Sequence, residues 1–276
     1  SMAVGEVFGT AEEIGQFYGG DALDGLHLAF NFQFIHRDGG AAFTPWDAET
    51  IRDIVCATEA DLPSGSQPCY ALGNHDRSRF LSRHDHDGLG PQRAGAAALL
   101  LLGLRNTPFV YYGEEIGMVD VDIPEGQLQD PARIHTVGRD PERTPMQWDA
   151  SAGRGFSTGA PWLPYGHSSV SVAAQLADRD SLLSLYRRAI WRRRSLPALL
   201  RGHLRDAAAK DGVFSFVRAP EVGQDVLVAV NTATEVRRVD LPAAGVVVVA
   251  TDGRLEGVRA TAVEVPPLGA MWAVLD

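Results

Sequence analysis

The chain has 276 residues, with 25 Lys and Arg against 35 Asp and Glu, for a net charge of −10. That balance leaves no basic stripe for DNA or RNA, and 45% hydrophobic with 22% charged residues is globular rather than disordered composition. The longest apolar run, Ala94–Leu104, is 11 residues, too short for a bilayer and suited to a buried helix. Cys56 and Cys69 are too few for a disulfide scaffold and lack zinc spacing, so two reduced core thiols are expected.

Ser1-Met2 reads as a start codon behind a cloning remnant. A strand, Ala3–Val7, follows at once with Glu6 near its end, which suggests that a segment normally precedes it. Further strands are expected at Leu26–Phe34, Cys69–Leu72 and Phe109–Tyr112, each bounded by Gly, Asn or Pro. Helices are expected between them. Ala11–Tyr18 follows Thr10, with Glu13 at capping-box spacing. Asp47–Ala60 carries Ile51, Ile54 and Val55 on one face. Pro91–Leu104 opens on a first-turn proline. Asp180–Arg194 sets Leu182, Leu183, Tyr186, Ala189 and Ile190 against an arginine face, read as solvated. Strand–helix alternation predicts parallel strands in an α/β architecture. Residues 117–164 show no period, and Trp148 and Trp162 predict a packed loop that meets a ligand or covers a site.

After Leu200 the texture changes to Val-rich runs at Val213–Arg218, Asp225–Asn231, Glu235–Leu241, Gly245–Ala250 and Met271–Leu275. These predict a small antiparallel β-sandwich over residues 199–276, behind an α/β domain of residues 1–198.

Polar residues gather at the C-terminal ends of the expected parallel strands: Glu6, Asn74-His75-Asp76 and Glu114-Glu115, with Arg79 nearby. In α/β barrels that edge carries the active site. A carboxylate, a His-Asp pair and an arginine there suit acid/base work on an oxygen leaving group, although Glu6 by position alone also fits a surface glutamate. His84-Asp85-His86-Asp87 resembles a metal cluster, but adjacent loop residues cannot all point inward, and a solvated loop is expected. His27 is expected to be a hydrogen-bonded strand residue. Trp46 could stack on a ring or simply pack.

Five stretches carry a family resemblance: Val4-Gly5-Glu6-Val7-Phe8, residues 24–32, Gly73-Asn74-His75-Asp76, residues 107–118 with Gly113-Glu114-Glu115-Ile116-Gly117-Met118, and residues 140–149 with Arg143-Thr144-Pro145-Met146-Gln147-Trp148. On these the chain resembles the α-amylase family of retaining glycosidases (glycoside hydrolase family 13), in its α-glucosidase, oligo-1,6-glucosidase and trehalose-synthase branch. The resemblance implies that Glu6 is the general acid/base at barrel strand five, a role needing a raised pKa. It implies that Asp76 holds sugar hydroxyls and stabilises an oxocarbenium-like transition state, and that His75 hydrogen-bonds the same ring. Arg79 falls where this branch places a substrate-contacting arginine, but Arg77-Ser78 replace the usual Gln-Pro before it. Glu114 and Glu115 look structural, and Arg143 with residues 144–149 looks like the border of the substrate entrance.

The family nucleophile, an aspartate in a Gly-Phe-Arg-x-Asp context, has no counterpart in this text. Neither have the strand-three Asp-x-Val-x-Asn-His motif and the metal loop after strand one. The expected architecture is therefore the C-terminal half of a (β/α)8 barrel, strands five to eight, followed by the β domain. A retaining enzyme needs two carboxylates about 5–5.5 Å apart. Asp21, Asp24 and Asp38 flank the second strand, but the family uses none of them as nucleophile. The expectation is an α-glucosidase-like hydrolase of α-linked gluco-oligosaccharides, inactive as this chain alone. The alternatives are a non-catalytic carbohydrate-binding protein or one partner of a split enzyme. No cofactor, metal, nucleic acid or membrane is expected, and the expected compartment is the cytoplasm. Open half-barrel edges predict pairing of two copies.

Overall fold

The structure, a computed structural model, describes residues 1–36, 42–134 and 138–276. Strands β1 (Val4–Gly5) and β2 (Leu28–Ala29) pair in parallel, Val4 opposite Leu28. The pairing continues as single parallel bridges, Asn31 to Tyr70 and Ala71 to Phe109. Four segments thus lie side by side in chain order and point the same way. The ladder is shorter than the apolar runs because each step is held by few backbone bonds, such as Asn31 N–H to the Cys69 carbonyl at 2.8 Å and Phe109 N–H to that of Tyr70 at 3.1 Å.

Local signals place the connecting helices. Helix α1 (Ala11–Gln16) starts on the expected capping box: Thr10 Oγ1 accepts from Glu13 N–H, and Glu13 Oε2 accepts from Thr10 N–H. Helix α2 (Ala48–Asp61) is capped by Asp47, which accepts from Thr50 N–H at 2.7 Å. A short α3 (Phe80–His84) leads to α4 (Gly90–Gly103), with Pro91 in its first turn. Residues 93–103 of α4 are all buried, so it is apolar all round rather than amphipathic. It is covered partly by α6 (Leu182–Ser195), which follows the short α5 (Val172–Leu176), and partly by the C-terminal sheet. A Cβ at Gly103 would stand 3.0 Å from Trp272 Nε1 and from Val228, so the helix meets the sheet at a residue without a side chain.

The α6 arginine run is not wholly solvated. Arg193 is buried and donates to the carbonyls of Leu102, Leu104 and Asn106 at the end of α4. Burial pushes its pKa down to about 10. The fully buried Arg218 donates to the carbonyls of Gly103 and Gly202. Two cations thus satisfy carbonyls that the helix leaves unpaired and sit at the negative end of its dipole.

After α7 (Pro197–Arg201) come β3 (His203–Lys210), β4 (Val213–Ala219), β5 (Val226–Asn231), β6 (Arg237–Ala250), β7 (Arg259–Val265) and β8 (Ala270–Leu275). They form one antiparallel sheet in the order β3-β4-β5-β8-β6-β7. The sandwich expectation is corrected here: the described strands make a single six-stranded sheet. Register shifts at Arg205/Ala208, Asp240/Gly245 and Val247/Val249 bend it. Val217 of β4 and Val263 of β7, far apart in strand order, therefore share one core with Leu227 and Met271. The opposite face, with Val226, Val228, Val230 and Trp272, packs on α4, and Trp272 Nε1 donates to the Leu99 carbonyl at 3.0 Å.

Candidate active site

Parallel pairing brings the C-terminal ends of the four segments to one edge, and the chemistry-bearing residues follow those ends. Side chains alternate along a strand. Val7 packs on Ile14, Tyr18, Ala29 and Leu62, beside the helices. Phe8 turns the other way and meets the Phe32 ring at 5.1 Å. Phe30 and Phe109 are in ring contact further along the sheet at 4.6 Å, and Glu6 lies just past the end of β1. Its side chain is exposed.

Asp76 sits in a loop folded by Asn74, whose Oδ1 accepts from Asp76 N–H at 2.9 Å. Its Oδ1 accepts from Arg139 Nη1 at 2.8 Å and Arg143 Nη2 at 2.7 Å, and lies 3.5 Å from His75 Nε2. Burial works to raise the Asp76 carboxyl, but His75, Arg143 and Arg139 outweigh it and hold the group below the usual carboxylate range. Arg139 is held in turn by Asp130, Nε to Oδ2 at 2.7 Å and Nη2 to Oδ1 at 2.9 Å. Arg143 also donates from Nε to the His75 carbonyl at 2.6 Å, which ties the two loops together.

The irregular stretch after Gly117 is therefore a packed loop. Tyr111 and Tyr112 hydroxyls donate to the carbonyls of Glu142 (3.1 Å) and Thr144 (2.8 Å), and Met118 and Met146 pack with Ile116 and Leu183. Trp148 and Trp162 project into solvent, 50% and 68% exposed, rather than into the Asp76 cluster.

His75, Asp76 and Arg143 are thus gathered in one place, and the Arg77 guanidinium lies 5.7 Å from the Phe8 ring centre, linking this loop to the Glu6 segment. Arg79 lies elsewhere. It is buried, its guanidinium 4.9 Å from both the Tyr111 and Tyr112 ring centres, and Nη1 donates to the Tyr112 carbonyl at 2.7 Å. Its backbone N–H donates to Asp120. Glu114 lies half-buried behind it, accepts from the Tyr186 hydroxyl at 3.0 Å, and is pushed up to about 7 by desolvation. Arg139 escaped the sequence reading altogether. It has no periodic context, and its partner Asp76 is 63 residues away in the chain.

Other candidates resolve into packing. Asp87 takes both Nη atoms of Arg93, and His84 packs against Trp46 and Phe80. Trp46 is a packing residue, edge-on to Phe80 at 5.4 Å. His27 Nδ1 accepts from Ala3 N–H. Among the described residues no group of three or more His, Cys, Asp or Glu could hold a metal, and no helix is long and apolar enough to cross a membrane. Cys69 is buried, but Cys56 is exposed, which corrects the expectation of two core thiols. Asp38 lies outside the described residues.

The family model for the alpha amylase catalytic domain matches residues 1–202. An oligo-1,6-glucosidase of Heyndrickxia coagulans is 34% identical over 70% of this chain and 41% of its own length. A probable alpha-glucosidase of Rhizobium meliloti (strain 1021) is 32% identical over 99% of this chain and 50% of its own. The chain thus spans about half the length of the curated relatives it matches. Among solved structures, the alpha-glucosyl transfer enzyme XgtA superposes with a TM-score of 0.83 at 28% identity, covering 100% of this chain and 51% of that one. The isomaltulose synthase PalI from Klebsiella sp. LX3 gives 0.86 at 25% identity, covering 100% and 55%. A matched span of most of the chain, a relative aligned over nearly all of it and a shared fold place this protein in the alpha-amylase catalytic-domain family.

Proposed function

We propose that these 276 residues are the strand-five-to-eight half of an α-glucosidase-like (β/α)8 barrel, residues 1–198, with its C-terminal β domain, residues 199–276. The observation that supports this reading best is the Asp76 carboxylate, held ionised by Arg139, Arg143 and His75 at the strand-end edge that also carries Glu6. In this reading Asp76 and His75 bind hydroxyls of an α-linked glucosyl unit and oppose the positive charge that builds at its anomeric carbon. Glu6 protonates the departing glycosidic oxygen. After a carboxylate nucleophile has formed the glycosyl ester, Glu6 takes a proton from the water that hydrolyses it. Arg79, walled in by Tyr111 and Tyr112, acts in this reading by positioning the loop that carries Asp76 rather than by touching sugar.

The nucleophile comes from outside these residues, since none of the aspartates stands in the family's Gly-Phe-Arg-x-Asp setting. The test is hydrolysis of p-nitrophenyl α-glucoside. The protein alone gives no turnover. Co-expressed with a separate chain carrying the first half of an α-glucosidase relative, it gains turnover that Glu6→Gln abolishes. Turnover by the chain alone that Glu6→Gln removes would overturn the missing nucleophile; turnover of the pair that survives Glu6→Gln would overturn the acid/base assignment. The exposed Phe8, Val110 and Tyr112 favour association of the half sheet, with the missing half or with a second copy. A monomer by light scattering that binds no hydrophobic dye removes the two-copy form. The cytoplasm remains the proposed compartment.

A further inference from the structure

We infer that the groove along α6, remote from the Asp76 cluster, binds a nucleoside di- or triphosphate. Helix α6 carries five arginines and no acidic residue, so no Glu–Arg pair can neutralise charge along it. Arg193 is buried against α4, but Arg187, Arg188 and Arg192 border a groove of about 690 Å³ with Arg179, bounded across the gap by Val248 and Glu256. That volume is ordinary for a small-molecule site. Four guanidiniums face one carboxylate there, in a chain that is otherwise strongly acidic.

The groove is partly organised already. Arg188 donates from Nε to Glu256 Oε1 at 3.1 Å and from Nη1 to the Arg179 carbonyl at 2.6 Å. The guanidiniums of Arg179, Arg187 and Arg192 have no hydrogen-bond or ion-pair partner among the described residues and are exposed. Guanidinium forks match phosphate oxygens two at a time. The same groove contains Trp191, 64% exposed, with the Arg194 guanidinium 5.1 Å from its ring centre, and the exposed Leu176. Inorganic phosphate would leave that indole unused, and a neutral sugar would leave the arginines unused. A planar base joined to two or three phosphates uses both, with the base on the indole and the phosphates on the forks.

Calorimetry of the intact protein with ATP, tripolyphosphate and inorganic phosphate, without divalent metal and at about 0.15 M salt to screen diffuse attraction, tests this. ATP is expected to saturate one site, and Arg187→Ala and Arg192→Ala each to weaken it about tenfold. Trp191→Ala is expected to weaken ATP several-fold and leave tripolyphosphate unchanged. These side chains are exposed, so circular dichroism of the variants should match the parent. Absence of saturable binding, or unchanged ATP affinity in both arginine variants, overturns the site. Tripolyphosphate or phosphate binding as tightly as ATP overturns the nucleoside assignment.

Discussion

The two ends of the chain build sheets in opposite ways. From β1 to Phe109, four parallel segments are joined by two paired residues at one step and a single bridge at each of the next two. In the C-terminal sheet β4 and β5 alone share six paired residues. Parallel strands depend on crossover helices and on neighbours along both edges and faces. The first region has helices on one face and leaves Phe8, Val110 and Tyr112 exposed. The antiparallel sheet curls over its own core on one side and packs against α2, α4, α6 and α7 on the other. The two regions share one core, and the contact of α4 with Trp272 is part of the seam between them.

Breaking that seam should have the largest effect. Trp272→Ala removes a fully buried indole and its bond to Leu99, at a cost of about 3–5 kcal/mol. Denaturant unfolding followed by circular dichroism should show the midpoint fall. If the parallel region leans on the sheet, hydrogen exchange should accelerate over residues 3–110 as well as within the sheet. Acceleration confined to residues 203–275 would show that the two regions stand apart.

A half-buried acid makes the stability depend on pH. Glu114 is raised to about 7 by burial, so the folded state keeps its proton where the unfolded chain gives it up. Its stabilisation is fully present below about pH 4.5 and is lost as pH climbs through about 7, an effect of up to about 3 kcal/mol. Glu114→Gln keeps a hydrogen-bonding group for Tyr186 and should flatten that loss. Glu142, also raised to about 7 by burial, leaves a residual slope. Melting temperature measured at about pH 5 and about pH 7 reads the difference, and an unchanged slope in the variant would clear Glu114 of it.

Gly103→Ala tests the seam more gently. The new methyl would meet Trp272 and Val228 at 3.0 Å, and overpacking of that kind costs about 1–3 kcal/mol. A midpoint equal to the parent's would mean that helix and sheet can part by a few tenths of an ångström without loss.

The comparison also shows what the residue order could reveal. The capping box at Thr10, the Asp47 cap and the proline of α4 are local signals, and all three helices begin within a residue of expectation. β3 escaped notice because His203–Lys210 is rich in Ala, breaks register after Arg205 and turns through a positive φ at Asp206, so it lacks strand periodicity. Pro242 and Gly245 split β6 in the sequence reading, yet the chain continues through them as a register shift. Arg193 was legible in principle, lying seven and four residues beyond Tyr186 and Ala189 on the buried side of α6, but a run of arginines masks its period. Around Asp76 the residue order points to Asn74, His75 and Asp76 and, through the family resemblance, to Arg143, but not to Arg139. The arginines that hold it come from a distant irregular loop, where no periodicity links residue 139 to residue 76.

The smallest effect should come from the far edge of the parallel region. Thr10→Ala removes the acceptor for Glu13 N–H and leaves the Glu13 side chain bonded to the residue-10 N–H, a loss of about 1 kcal/mol for an N-cap. Helix α1 lies far in sequence from the seam, and Ile14 within it and Tyr18 just after it pack on Ala29 and Leu62. Its loosening should therefore raise exchange rates over residues 11–18 about fivefold, as 1 kcal/mol implies for local opening, and leave Trp272 and its strand protected as before. Equal acceleration in the sheet would mean that the edge of the parallel region is coupled to the seam, and that the two regions unfold as one unit despite their unequal pairing.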